Sequence, residues 1–130
     1  MTNKASRAAN RPPVLIRAAD GAHREGPWNG SVSAEALGTD TFVLFPRFEE
    51  VGAGPVLHVH PYDEIFVVTK GRARFTVGEE TFVAEEGDVA VAPANTPHKF
   101  ANAGPGPLHT MDIHLSAEWI QYDLHDPEAG

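Results

Sequence analysis

Three side chains of a type that binds metals fall within seven residues: His58, His60 and Glu64, in the stretch GAGPVLHVHPYDEIFVVTKG from Gly52 to Gly71. Neutral imidazoles and a carboxylate converging from neighbouring strands suit a divalent first-row metal. Their spacing allows that convergence. Val56 to His60 alternates with period two, so His58 and His60 share one face of a strand. Pro61 can set the first corner of a turn over His60 to Asp63, and Ile65 to Val68 is strongly strand-like. Glu64 opens the returning strand and can come back beside both histidines. A His-x-His pair alone is commonly an exposed strand feature, so a fourth residue carries the decision.

That residue is His98, in GDVAVAPANTPHKFAN from Gly87 to Asn102. Val89 and Val91 belong to a strand, the breaker cluster Pro93 to Pro97 turns the chain, and His98 to Phe100 runs on. Together the two stretches resemble the paired motifs of the cupin superfamily. Gly52-x5-His58-x-His60-x3-Glu64-x6-Gly71 fits the first motif at each constrained position. Gly87-x5-Pro93-x-Asn95-x2-His98-x3-Asn102 fits the second except at Asn95, where the family usually has Gly. Asn is the non-glycine residue that best tolerates positive φ, so the turn geometry is expected to survive. The resemblance covers the middle of the chain, with the short spacer of small single-domain cupins. It implies His58, His60, Glu64 and His98 as ligands of one metal inside a β-barrel.

The elements needed to position these groups follow from the rest of the chain. At 130 residues it is expected to be one domain with a real core. Its 12 glycines and 11 prolines point to many turns, hence many short strands. The fold class expected is all-β, a cupin-type double-stranded β-helix (jelly-roll) barrel of two antiparallel sheets with a short C-terminal helical segment. Residues 1–13 are expected to be a flexible N-terminal segment, 14–122 the barrel, and 123–130 a polar tail, with His125 disordered in it. Val14 to Arg17 could be a first strand, and Ser31 to Leu37 is ambiguous between strand and helical turn. Thr41 to Glu50 is strand-like, with Phe42, Leu44 and Phe48 on one face. Arg72 to Val77 and Thr81 to Ala84 form a hairpin, and Leu108 to Leu115 alternates strictly. Ser116 to Tyr122 is expected to be a short helix capped by Ser116, closing one end of the barrel or supporting a dimer contact.

On the Leu108 to Leu115 strand, Thr110, Asp112 and His114 share one face. Turned inward, Asp112 and His114 would orient the ligands or exchange protons, which makes them candidate catalytic groups; turned outward, they form an ordinary exposed sheet surface. Phe66 and Val68 share the face of Glu64, and Phe100 that of His98, so an apolar pocket around the metal is expected. Arg47 could reach into it to hold a carboxylate, or sit at the rim or surface. His23 and Trp28, in the turn-rich stretch before Gly30, lie outside any motif, and His23 is read as a surface histidine. His109, beside a loop on the opposite face of its strand, is not a ligand candidate.

Composition removes several function classes. There is no cysteine, so disulfides and thiolate sites are excluded, and any metal is held by nitrogen and oxygen. Fe, Mn, Zn, Ni, Co and Cu are all possible with such a set, and geometry alone does not choose among them. A formal charge of −8 without a basic stripe argues against nucleic acid. No run is long enough to span a membrane and the first residues lack a signal's apolar region, so the expected location is cytoplasmic. No Gly-x-Ser-x-Gly elbow occurs. The expected function is that of a metal-dependent enzyme on a small-molecule substrate, the ion serving as Lewis acid or O₂-binding centre for dioxygenase, isomerase, cyclase or lyase chemistry. The alternative is a non-catalytic binding or storage barrel. A homodimer is expected from the resemblance, with Val14 to Arg17 and the C-terminal aromatics as contacts.

Overall fold

The computed structural model describes residues 11–18 and 30–129. His23, Trp28 and most of the N-terminal segment lie outside the described residues. The chain forms β1 (Ser31–Val32), a one-turn helix α1 (Ala34–Leu37), then β2 (Phe42–Leu44), β3 (Arg47–Phe48), β4 (His58–Val59), β5 (Glu64–Lys70), β6 (Arg72–Val77), β7 (Glu80–Glu85), β8 (Val89–Ala92), β9 (His98–Asn102), β10 (Leu108–His114) and β11 (Tyr122–Asp123). One sheet runs β1-β2-β10-β5-β8, with β3 also on β10; the other runs β11-β4-β9-β6-β7. Among the described residues the paired strands are antiparallel, for example β5 with β10 and β6 with β9. This is the expected all-β barrel of two sheets.

Several local expectations are corrected. Thr41 to Glu50 is two strands instead of one, because Pro46 has no N–H for the ladder. Val14 to Arg17 is extended and exposed and joins neither sheet. The ambiguous Ser31 to Leu37 is both things in turn: β1, then α1, whose N-cap Ser33 accepts from Ala36 N–H at 3.0 Å. Ser116 to Tyr122 is not a helix. Ser116 Oγ accepts from Glu118 N–H at 3.1 Å and donates to Glu118 C=O at 2.8 Å, a tight local turn. Tyr122 then enters β11 beside Val59. The tail beyond is held: Leu124 N–H donates to Leu57 C=O, and Lys99 pairs with Asp126 at 2.6 Å and Glu128 at 2.7 Å. No helix among the described residues is long and apolar enough to cross a membrane.

Alternation divides the barrel interior along its length. On β5 the inward residues are Glu64, Phe66 and Val68; on β9 they are His98, Phe100 and Asn102. Each strand therefore starts polar at one end of the barrel and turns apolar toward its middle, β5 staying apolar and β9 ending on Asn102. The apolar end packs Phe66, Phe75 and Phe100 at centroid separations of 5.0 to 5.5 Å, with Phe48 edge-on to Phe100 at 5.7 Å. Burying each such ring contributes about 1.5–3 kcal/mol. Asn102 closes that end: its Nδ2 donates to Phe48 C=O and Gly106 C=O, and its Oδ1 accepts from Gly104 N–H. All three bonds are to backbone, which is why an amide can be buried there.

Backbone needs explain one motif position and one residue beside the motif's first glycine. Asn95 has φ 63°, as its place in the motif predicts, and its N–H donates to His60 C=O at 2.7 Å. Gly54 lies so close to β9 that a Cβ there would sit 1.8 Å from Phe100 C=O. Ala94 N–H also donates to Asp63 Oδ1 at 2.8 Å, so the turns of the two motifs are tied together directly.

Candidate metal centre

His58, His60, Glu64 and His98 are all buried and each offers a ligand atom within 4.8 Å of the others. His58 and His98 are direct partners across β4 and β9, and Glu64 opens β5 opposite Ala92. His60 follows β4 and is fixed by its own bonds. The turn through Pro61 returns the chain, so a contiguous segment supplies three of the four groups.

The histidine tautomers follow from their partners. His58 Nδ1 contacts Val56 C=O at 2.5 Å, His60 Nδ1 contacts Ile120 C=O at 2.7 Å, and His98 Nδ1 contacts Thr96 C=O at 2.9 Å. A carbonyl only accepts, so each Nδ1 carries the proton. Each Nε2 is then a bare lone pair. His60 Nε2 and His98 Nε2 lie 3.1 and 3.2 Å from the same oxygen, Glu64 Oε1, and His60 Nε2 is buried with no hydrogen-bond partner. Lone pairs facing a carboxylate repel unless a cation lies among them. The donor set therefore fits a divalent metal ion, with the Nδ1–H bonds orienting the rings.

Protonation states agree. Burial lowers the His58 pKa to about 4, the neighbouring His98 and His60 adding to the effect, while the bond to Val56 opposes it. Burial alone would raise Glu64, but the imidazoles around its carboxylate, His114 foremost, hold it well below the usual carboxylate range.

Thr110, Asp112 and His114 turn inward and are buried. His114 is the partner of Glu64 across β5 and β10, and its Nε2 lies 3.1 Å from Glu64 Oε2. Asp112 is one row deeper, opposite Phe66, with neither carboxylate oxygen hydrogen-bonded to protein. Burial, then the charge of Glu64, raise its pKa well above that of an ordinary aspartate.

The expected pocket is rearranged. Phe66 forms the floor, its ring 5.9 Å from that of His98, while Val68 and Phe100 belong to the packed core below. Arg47 is exposed, since its neighbour Phe48 points inward. His109 is on the outward side of β10. Sequence reading missed Tyr62, whose ring stacks on His60 at 4.9 Å, and the ring contacts Trp119 makes with His114 and Phe42. Tyr62 was visible only as a turn residue; burial raises its phenol pKa to about 12, so it keeps its proton.

Comparison with known proteins agrees with this architecture. The cupin domain family matches residues 47–114, and the chain belongs to that family. Among curated relatives, an uncharacterised protein of Methanocaldococcus jannaschii is 39% identical over 62 residues, covering 47% of this chain and 50% of its own. The chain spans half or less of the length of the curated relatives it matches. A Klebsiella pneumoniae protein with a double-stranded β-helix domain superposes with a TM-score of 0.61 at 22% identity, over 67% of this chain and 76% of that one, a likeness of fold. Bacillus subtilis oxalate decarboxylase, a protein with Mn(II) centres, superposes with a TM-score of 0.67 at 25% identity, over 73% of this chain and 27% of its own.

Proposed function

We propose that this cupin is a metal-dependent enzyme acting on a small substrate that presents oxygen, with His58, His60, Glu64 and His98 holding one divalent ion. The observation that carries this is the convergence of lone pairs on Glu64 Oε1 without a donor to satisfy them. When bound, such an ion supplies Lewis acidity toward a substrate oxygen or, as iron, a redox centre for dioxygen. Fe, Mn, Zn, Ni, Co and Cu all suit the donor set; the likeness to a manganese decarboxylase makes manganese the first to test.

The chain's own residues supply orientation and proton handling. Asp112, whose carboxyl pKa is raised well above the ordinary aspartate range by burial and then by the charge of Glu64, is the group placed to hold a proton inside the barrel. Phe66 beneath, with Phe42 and Tyr62 against the imidazoles, keeps water from the histidines. A homodimer in the cytoplasm forms part of this proposal, with exposed Val14, Leu15 and Ile16 as contacts.

The test is elemental analysis of protein purified without chelator or added metal, followed by turnover assays on small carboxylic and enolisable substrates under air and under nitrogen. About one equivalent of a divalent metal and metal-dependent turnover are expected. Metal-free protein that takes up no ion on titration would overturn the proposal.

A further inference from the structure

Outside the four ligands, one chain of hydrogen bonds runs from the C-terminal segment to the carboxylate of Glu64. Ile120 N–H lies 3.4 Å from Tyr62 Oη, Tyr62 Oη lies 2.8 Å from His114 Nδ1, and His114 Nε2 lies 3.1 Å from Glu64 Oε2. The directions are set by elimination. The peptide N–H can only donate, and the ionised carboxylate can only accept. His114 therefore donates from Nε2, its Nδ1 accepts, and the Tyr62 hydroxyl supplies that proton while accepting from Ile120. The same residue receives His60 Nδ1–H on its carbonyl at 2.7 Å.

We propose that Tyr62 and His114 are positioning residues that engage Glu64 through Oε2 and so leave Oε1 to face His60 Nε2 and His98 Nε2. His114 is thereby held in the opposite tautomer to His58, His60 and His98. A freely rotating carboxylate could present both oxygens to an ion; the bond from His114 to Oε2 fixes that rotation, with Oε1 toward His60 and His98. Phe42, stacked on His114 at 4.4 Å, keeps the ring in plane for it. This inference rests on the metal reading above.

The tautomers can be read without turnover. In long-range ¹H–¹⁵N spectra of zinc-loaded protein, His114 is expected as an Nε2–H ring, assigned by its loss in His114→Gln. The three ligand histidines are expected as Nδ1–H rings. Tyr62→Phe, which removes one oxygen, is expected to abolish the single Nε2–H signature of His114. It should also weaken Co(II) affinity by about tenfold and shift the Co(II) visible bands, whereas Ile120→Ala, which retains the peptide, should change neither. An Nδ1–H tautomer at His114 in the wild type, or a Tyr62→Phe protein with unchanged tautomer and Co(II) affinity, would overturn the inference. If the wild type binds no metal, that reading fails separately, and the His114 tautomer in the metal-free protein still decides the array.

Discussion

His58 and His98, 40 residues apart in the chain, are registered partners across β4 and β9 with ring centroids 4.4 Å apart at 65°. Removing either therefore takes away one wall of the cluster and leaves the other in place.

For His58→Ala and His98→Ala we expect metal content to fall from about one equivalent to near zero while the circular dichroism of the barrel is retained. Full occupancy in both variants, measured by elemental analysis, would remove them from the ligand set.

Acid should destabilise the metal-free protein through His58. Its folded pKa of about 4 lies below the ordinary 6.5, so the unfolded chain binds the extra proton between those values. Stability is then complete above pH 6.5 and is lost as pH falls toward 4, by about 3 kcal/mol. Urea titrations across that window should show a shallower slope for His58→Gln.

Asp112 works in the opposite direction. Its folded pKa is raised, so its contribution is present below the ordinary value of 3.8 and is lost as pH rises toward the folded value. Asp112→Asn should gain stability relative to the wild type between pH 5 and pH 8, in urea at both pH values. If Asp112 carries the proton proposed for it, the variant keeps its metal and loses turnover.

Phe66 links core and site, with Phe75 and Phe100 on one side and His98 on the other. Phe66→Ala should cost about 3–5 kcal/mol by urea unfolding. Loss of the floor under His98 should weaken metal binding as well, which Phe75→Leu, one layer removed, should leave intact.

Much of this arrangement is legible in the chain because it depends on short spacings. His58, His60 and Glu64 come together through one turn, and the positive φ of Asn95 is expected from its standing where the resembled motif usually has Gly. The inward face of Phe42, Leu44 and Phe48 follows from alternation, and the same alternation sends Arg47 outward. Other features depend on distant partners. The direction of the Thr110, Asp112 and His114 face is decided by the register of β10 between β2 and β5, which a sequence with two plausible faces does not reveal. Tyr62 meets Ile120 across 58 residues through a peptide N–H, a group that every residue except proline carries. The expected helix after Ser116 gives way because the Ile120 peptide is bonded to His60 and Tyr62 instead.

The hold that Ile120 has on His60 and Tyr62 is made with main-chain atoms only. Its side chain could be exchanged for any residue except proline and both contacts would still be available. Selection or a designer can therefore vary the Ile120 side chain, beside the histidines, without disturbing the hold on either ring.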